Sequence, residues 1–254
     1  AYRLVRKYFE FLGFPREPVV FDEASQEQLL REILGEKRIP EEAISIRHLK
    51  QLLDRVKADV ACPLMDDRYD PEHFELLYDI FKTYQEELVL RGALDFSDIL
   101  LNALRLLYVH PDIREEITGS VEHLLIDEFQ DINPAQYRLI DALEHPGMNL
   151  FAVGDEDQTI YAFRGSSGVY IDQFVADTGA RVVPLGTSYR CSNAILYAAS
   201  SLISQNRRFY QQPTNPPEGI RKKPPLGIFE LENEEEEARL ITKLVRSWAE
   251  TGIE

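Results

Sequence analysis

Two kinds of hydrophobic pattern divide the chain. Up to residue 107 the apolar positions recur at helical spacing, and after Gly119 they gather into short continuous runs separated by helical segments. Residues 2–13 read as one helix, with Gly13 placed to end it and Pro15 beyond. Ser25 and Gln28 form a capping-box pattern ahead of Leu29, Leu30, Ile33 and Leu34, and Gly35 is placed to stop that helix. Pro40, Glu41 and Glu42 open a third segment, whose stripe is Leu49, Leu52, Leu53 and Val56. Asp70, Pro71 and Glu72 give a cap, a proline at the first helical position and an acid in the first turn. Phe74, Leu77, Ile80, Phe81, Tyr84 and Leu88 follow on one face. Asp95 introduces a further helix through Leu107, and all these stripes read as core.

Strand-like runs begin with residues 121–126, which end in Asp127 and Glu128, and 149–153, which end in Gly154 and Asp155. Residues 181–185 and 226–231 are expected as a third and a fourth strand. Helices are expected at 134–143, 169–176, 192–204 and 234–250. Strands alternating with helices argue for an α/β fold with a mostly parallel sheet. In such sheets ligands gather at the carboxyl ends of strands, where Asp127 and Glu128 fall. From the residues alone this pair is a helix N-cap, part of an exposed loop, or a metal-and-base pair for phosphate chemistry.

Composition narrows the class. The 254 residues carry a net charge of −16, with 44% hydrophobic and 28% charged positions, an ordinary globular balance. No apolar run approaches the ~20 residues of a membrane span. The basic N-terminal stretch lacks the apolar core of a signal peptide. Cys62 and Cys191 have no metal-ligand spacing, so a reducing, cytoplasmic compartment is expected. The acidic balance argues against a whole-surface DNA binder. Residues 184–225 nevertheless hold Arg190, Arg207, Arg208, Arg221, Lys222 and Lys223 against Glu218 alone, either a local basic groove or a solvated face.

Four blocks carry a resemblance. Leu124 to Gln136, with Asp127-Glu128-Phe129-Gln130-Asp131 at its centre, resembles motif II of the UvrD/Rep family of superfamily 1 helicases. Val153 to Ser166 resembles motif III, and Leu185 to Ser192 motif IV. Leu94 to Leu100 is similar to the segment by which these helicases return from an accessory insertion. The resemblance implies a RecA-like parallel-sheet P-loop NTPase motor portion with an all-helical accessory insertion. Its implied divisions are 1–20 and 93–183 in the first motor domain, 21–92 in the insertion, and 184–254 at the start of the second motor domain.

The implied activity is ATP-dependent 3′–5′ movement on single-stranded DNA or 3′-tailed duplex, with ATP and Mg²⁺ as cofactors. Asp127 would hold Mg²⁺ through water, with Glu128 beside it as catalytic base. Gln158 would sense the γ-phosphate, Arg190 would stabilise charge on it, and Tyr189 would stack on adenine. Tyr161, Phe163 and Arg164 would face the DNA strand. The sequence departs from the family pattern at Phe163, commonly Trp, at Ser188, usually Asn, and at Cys191, usually Ser or Thr.

None of the 13 glycines is followed by lysine, so the phosphate-binding loop of such enzymes is absent from these residues. The expectation is an internal piece of a longer helicase, inactive alone and prone to self-associate through an unpaired sheet edge. Two other readings stand beside it. One is a non-catalytic DNA-binding or protein-interaction module derived from a helicase. The other is a metal-dependent phosphohydrolase using Asp127, Glu128, Asp131, Asp155 and Asp157.

Overall fold

The computed structural model describes residues 1–40, 44–59, 71–160, 168–205 and 227–251. They divide into two compact units, Ala1–Val182 and Val183–Glu254.

The first unit opens with α1 (Tyr2–Lys7) and a single 3₁₀ turn (Phe9–Leu12), which break into two pieces the helix expected over 2–13. Gly13 ends the turn at φ +85°, a conformation that costs other residues a Cβ clash. The short strand β1 (Val19–Val20) follows. In α2 (Glu23–Glu36) the cap is Asp22, whose carboxylate accepts from the Ser25 N–H at 2.9 Å. Ser25 is therefore inside the helix it was expected to cap, and Gly35 lies within the last turn rather than after it. An acid at the cap position satisfies an orphan N–H and meets the helix dipole, which is why Asp22 wins.

Helices α3 (Ile46–Asp59) and α4 (Pro71–Arg91) complete a helical core with α2. Leu30, Ile33, Leu49, Leu53, Ile80 and Leu88 are among its buried members. Arg91 pairs with Glu32 at 2.8 Å and Lys37 with Asp79 at 2.5 Å across its surface, exposed contacts of little energetic weight. Residues 41–43 and Asp70 lie outside the described residues.

Strand β2 (Ala93–Leu94) runs parallel to β1, Val19 opposite Ala93 and Val20 opposite Leu94. These two residues of β2 separate two cores: Ala93 belongs to the helical core, while Leu94 packs with Val5, Leu12, Leu106 and Ile113. Helix α5 (Phe96–Val109) starts in a full capping box between Asp95 and Asp98, and α6 (Pro111–Thr118) packs beside it.

A buried charge network spans the boundary between these cores. Lys57 of α3 donates to the carboxylate of Asp95 and, at 2.7 Å, to Asp98. The Tyr84 hydroxyl donates to Asp95 at 3.2 Å. With its amide oxygen turned to the ammonium, Gln85 accepts from Lys57 at 2.6 Å and donates to Asp98 at 3.2 Å. Burial pushes the Asp98 carboxyl above its ordinary range against the pull of Lys57, and pushes the Tyr84 phenol well above its own.

Strands β3 (His123–Ile126) and β4 (Asn149–Ala152) pair in parallel, His123 opposite Asn149 through Ile126 opposite Ala152. Helix α7 (Pro134–Leu143) crosses between them, and α8 (Val169–Thr178) follows. Ile126, Leu150 and Ala152 turn one face of the sheet onto Phe129, Phe174 and Ile140. Leu125 (70% exposed) and Phe151 (58%) lie on the bare opposite face.

The second unit holds α9 (Asn193–Ile203) and α10 (Glu234–Glu250). The strands expected at 181–185 and 226–231 are not formed. Residues 181–186 and 227–231 are irregular, and Leu226 lies outside the described residues. Val183, Leu185 and Ile228 are exposed there, because an apolar run becomes a strand only when a partner takes up its backbone groups. Among the described residues, no helix is long and apolar enough to cross a membrane.

Candidate functional site

The site begins where β3 and β4 end side by side. Beyond the last paired residues the Val153 N–H donates to Ile126 at 2.8 Å, and the Phe129 N–H donates back to Val153 at 2.9 Å. This keeps the two outgoing loops in contact, one carrying Asp127 and Glu128 and the other carrying Gly154 to Gln158.

Asp127 and Glu128 are both exposed. The Glu128 N–H donates to the Asp127 carboxylate at 3.0 Å. Glu128 adopts a left-handed backbone, φ +49° and ψ +46°, a conformation costing a non-glycine residue roughly 1–2 kcal/mol. The turn separates two destinations. Phe129 goes inward, its ring 4.9 Å from that of Phe174, while the two carboxylates stay at the surface. Asn133 then starts α7 with a capping box to Gln136, both bonds 2.9 Å, and Pro134 fills the first helical position.

In the second loop Asp155 caps a single turn, Glu156–Gln158. One of its carboxylate oxygens accepts from the Asp157 N–H at 3.1 Å. The other accepts from the side-chain amide of Gln158 at 2.8 Å. Gly154 is closely surrounded. A Cβ there would lie 3.1 Å from both Gln130 Oε1 and Phe129 Cβ, tighter than ordinary contact. Gln158 itself is exposed.

Asp127, Glu128 and Gln158 are thus brought onto adjoining loops. Tyr189 and Arg190 sit on the second unit in the turn before α9, Tyr189 82% exposed and Arg190 exposed. Ser188 accepts from the Cys191 N–H at 3.4 Å, closing that turn. Tyr161, Phe163 and Arg164 lie outside the described residues, as do Arg207, Arg208, Arg221, Lys222 and Lys223.

The five-acid metal cluster considered from the sequence is not assembled. Among the described residues, no group of three or more His, Cys, Asp or Glu side chains could hold a metal ion. Each Asp155 oxygen accepts a hydrogen bond from its own loop. Gln130 is the site residue that sequence reasoning missed. It lies buried between the two loops and touches both. Its place within the motif II block was the available signal, but an amide among acids does not announce burial.

The family model described as UvrD/REP helicase N-terminal domain matches residues 1–178. The chain is 29% identical over 254 residues to DNA helicase II of Haemophilus influenzae, covering 99% of this chain and 34% of that protein. It is 30% identical over 235 residues to the putative ATP-dependent DNA helicase YjcD of Bacillus subtilis, covering 91% and 30%. It is 27% identical over 254 residues to the ATP-dependent DNA helicase PcrA of the same organism, covering 98% and 34%. The chain therefore spans about a third of the length of these curated relatives. With the family match running over more than two thirds of its residues, the chain belongs to the UvrD/REP helicase N-terminal domain family.

Proposed function

We propose that this chain forms part of an ATP-driven motor that moves 3′ to 5′ along single-stranded DNA. The observation that carries the reading is the pairing of two polar loops at the carboxyl ends of parallel strands. Asp127 and Glu128 lie on one loop and Gln158 on the other. A nucleotide bound there meets acid, base and amide from one direction.

In this reading Asp127 holds Mg²⁺ through water and Glu128 accepts the proton of the attacking water. The donor set fits that ion. Two exposed carboxylates, with no third acid grouped with them among the described residues, suit a cation that keeps its waters and is held by one or two carboxylates plus phosphates. When bound, the ion neutralises charge on the transferring phosphoryl group. Gln158 can donate to a phosphate oxygen and accept from water with one side chain, which is what a γ-phosphate sensor needs. Arg190 brings a planar cation for charge spreading over oxygens, and Tyr189 a ring for adenine. Tyr161, Phe163 and Arg164 grip DNA by sequence-tolerant stacking, worth roughly 1–3 kcal/mol per base, together with charge. Residues 1–20 and 93–183 form a RecA-like motor portion, 21–92 its helical insertion, and 184–254 the start of a second motor domain. The phosphate-binding loop comes from outside these 254 residues, so the chain alone does not turn over ATP.

The test is Mg²⁺-dependent ATP hydrolysis by the complete gene product, with and without single-stranded DNA. Glu128→Gln should lower kcat by about 10²–10⁴-fold, the usual contribution of a general base, while DNA binding persists. One observation favours a second reading, a non-catalytic DNA-binding or protein-interaction module: no glycine in the chain precedes a lysine. A complete gene product that binds DNA but hydrolyses no ATP would establish the module and overturn the motor.

A further inference from the structure

Gln130 is 1% exposed and sits beneath the two loops of the candidate site. Its side-chain amide is used at both ends. Nε2 donates to the Glu128 carboxylate at 2.8 Å, and Oε1 accepts from the backbone N–H of Asp155 at 3.0 Å. The partners fix which end is which. A carboxylate can only accept and a backbone N–H can only donate, so no flipped amide satisfies both. Asp155 in turn accepts from the Gln158 amide at 2.8 Å. Three hydrogen bonds therefore run Glu128–Gln130–Asp155–Gln158, passing from the loop after β3 to the loop after β4.

The fold is shaped around this crossing. Gly154 is the point of closest approach, and a Cβ on it would press to 3.1 Å on Gln130 Oε1. The left-handed backbone of Glu128 reverses the chain so that its carboxylate comes back over the buried amide two residues on. A buried amide in a low-dielectric setting makes strong hydrogen bonds and is costly to leave unpaired, so both loops are held to it.

We propose that Gln130 is a positioning residue that aims the Glu128 carboxylate and ties its aim to the loop carrying Gln158. This rests on the reading of Glu128 as base and Gln158 as γ-phosphate sensor. The Gln158 NH₂ has two donors. One goes to Asp155, and the other is available to a phosphate oxygen without releasing the relay. A ligand that draws Gln158 toward it pulls on Asp155, and through the Asp155 backbone on Gln130 and then Glu128. Gln130 holds the base at 2.8 Å, and engaging the sensor adjusts its aim through the same bonds.

The test uses the complete gene product with Gln130→Leu, which removes both bonds, and Gln130→Glu. The second keeps the acceptor for Asp155 but turns a carboxylate toward Glu128 in place of the donor. Both should lower the DNA-stimulated kcat by on the order of 10- to 100-fold, the range seen when outer partners of a catalytic group are lost. KM for ATP should stay within about twofold, since the effect acts after binding. Combining Gln130→Glu with Gln158→Ala should cost no more than the larger single change, because both break one relay. Wild-type kcat in a folded Gln130→Glu protein, or losses that simply multiply in the double variant, would overturn the proposal. Should Gln130→Leu fail to fold, Gln130→Glu and the double variant still decide. Glu128→Gln assayed alongside separates the two failures: full activity in that variant sinks the reading of the base, whereas its inactivity beside normal Gln130 variants sinks the relay alone.

Discussion

The Lys57 ammonium lies 2.7 Å from the Asp98 carboxylate, although the helices that carry them are anchored in different hydrophobic cores. Both side chains are almost completely buried. The contact joins the α2–α4 core to the α1–α5–α6 core at the point where β1 and β2 pass between them.

Removing the cation should therefore be expensive. Lys57→Met leaves the carboxylates of Asp95 and Asp98 buried without compensation, a change that typically costs 3–5 kcal/mol. Urea unfolding should show a lower midpoint with an unchanged slope. A loss under about 1 kcal/mol would mean that water or a rearranged side chain reaches the pair.

The same network sets a direction for pH. Burial holds the Asp98 carboxyl above its ordinary value, so the folded protein keeps a proton that the unfolded chain has already released. Its contribution is fully present below the unfolded value and is lost as pH rises through the folded one. Exposed Asp22, Glu32 and Glu116 are shifted downward by their hydrogen-bond partners, Ser25, Arg91 and Lys7 respectively, and act with the opposite sign. The difference between the wild type and Asp98→Asn isolates the buried group. The wild type should lose stability relative to the variant as pH rises from about 4. A pH-independent difference would place Asp98 among the ordinary carboxylates.

Gly154→Ala should strain the crossing between the two loops. Its new methyl group meets Phe129 and Gln130 at 3.1 Å, and overpacking of this kind costs roughly 1–3 kcal/mol. Thermal unfolding measures the loss. An unchanged midpoint would show that the Asp155 loop yields freely, and it would weaken the case for a rigid tie to Gln130.

Leu125 and Phe151 present an apolar strip on the bare face of β3 and β4, and among the described residues these strands pair only with each other. Parallel sheets are ordinarily covered on both faces. The 254-residue chain should therefore self-associate in a concentration-dependent way, and the pair Leu125→Lys and Phe151→Lys should reduce that association. Sedimentation velocity across a concentration series reads this directly, and a monomer at every concentration would count against it.

What was legible in the sequence is what short-range chemistry controls. The start of α7 follows from Asn133, Pro134 and Gln136 within one turn. Strands β3 and β4 follow from apolar runs that end in turn-forming residues, and Asp127 and Glu128 were placed at a strand end by counting alone. Where a local signal had a competitor one turn away, as Ser25 had in Asp22, the sequence chose the wrong cap. Where a strand needed a distant partner, as at 181–185, local pattern overstated it.

The sequence by itself determined the alternation of helices and strands, the carboxylate pair and the family resemblance, because each is written within a few consecutive residues. Tertiary structure alone decided that Lys57 is a buried clamp rather than a solvated lysine, since its partner Asp95 is 38 residues away. It alone decided that Gln130 links two loops, since the Asp155 N–H it holds is 25 residues away. Side-chain periodicity reports which face of an element is buried. It carries no information about which distant polar group that burial will oblige a residue to find.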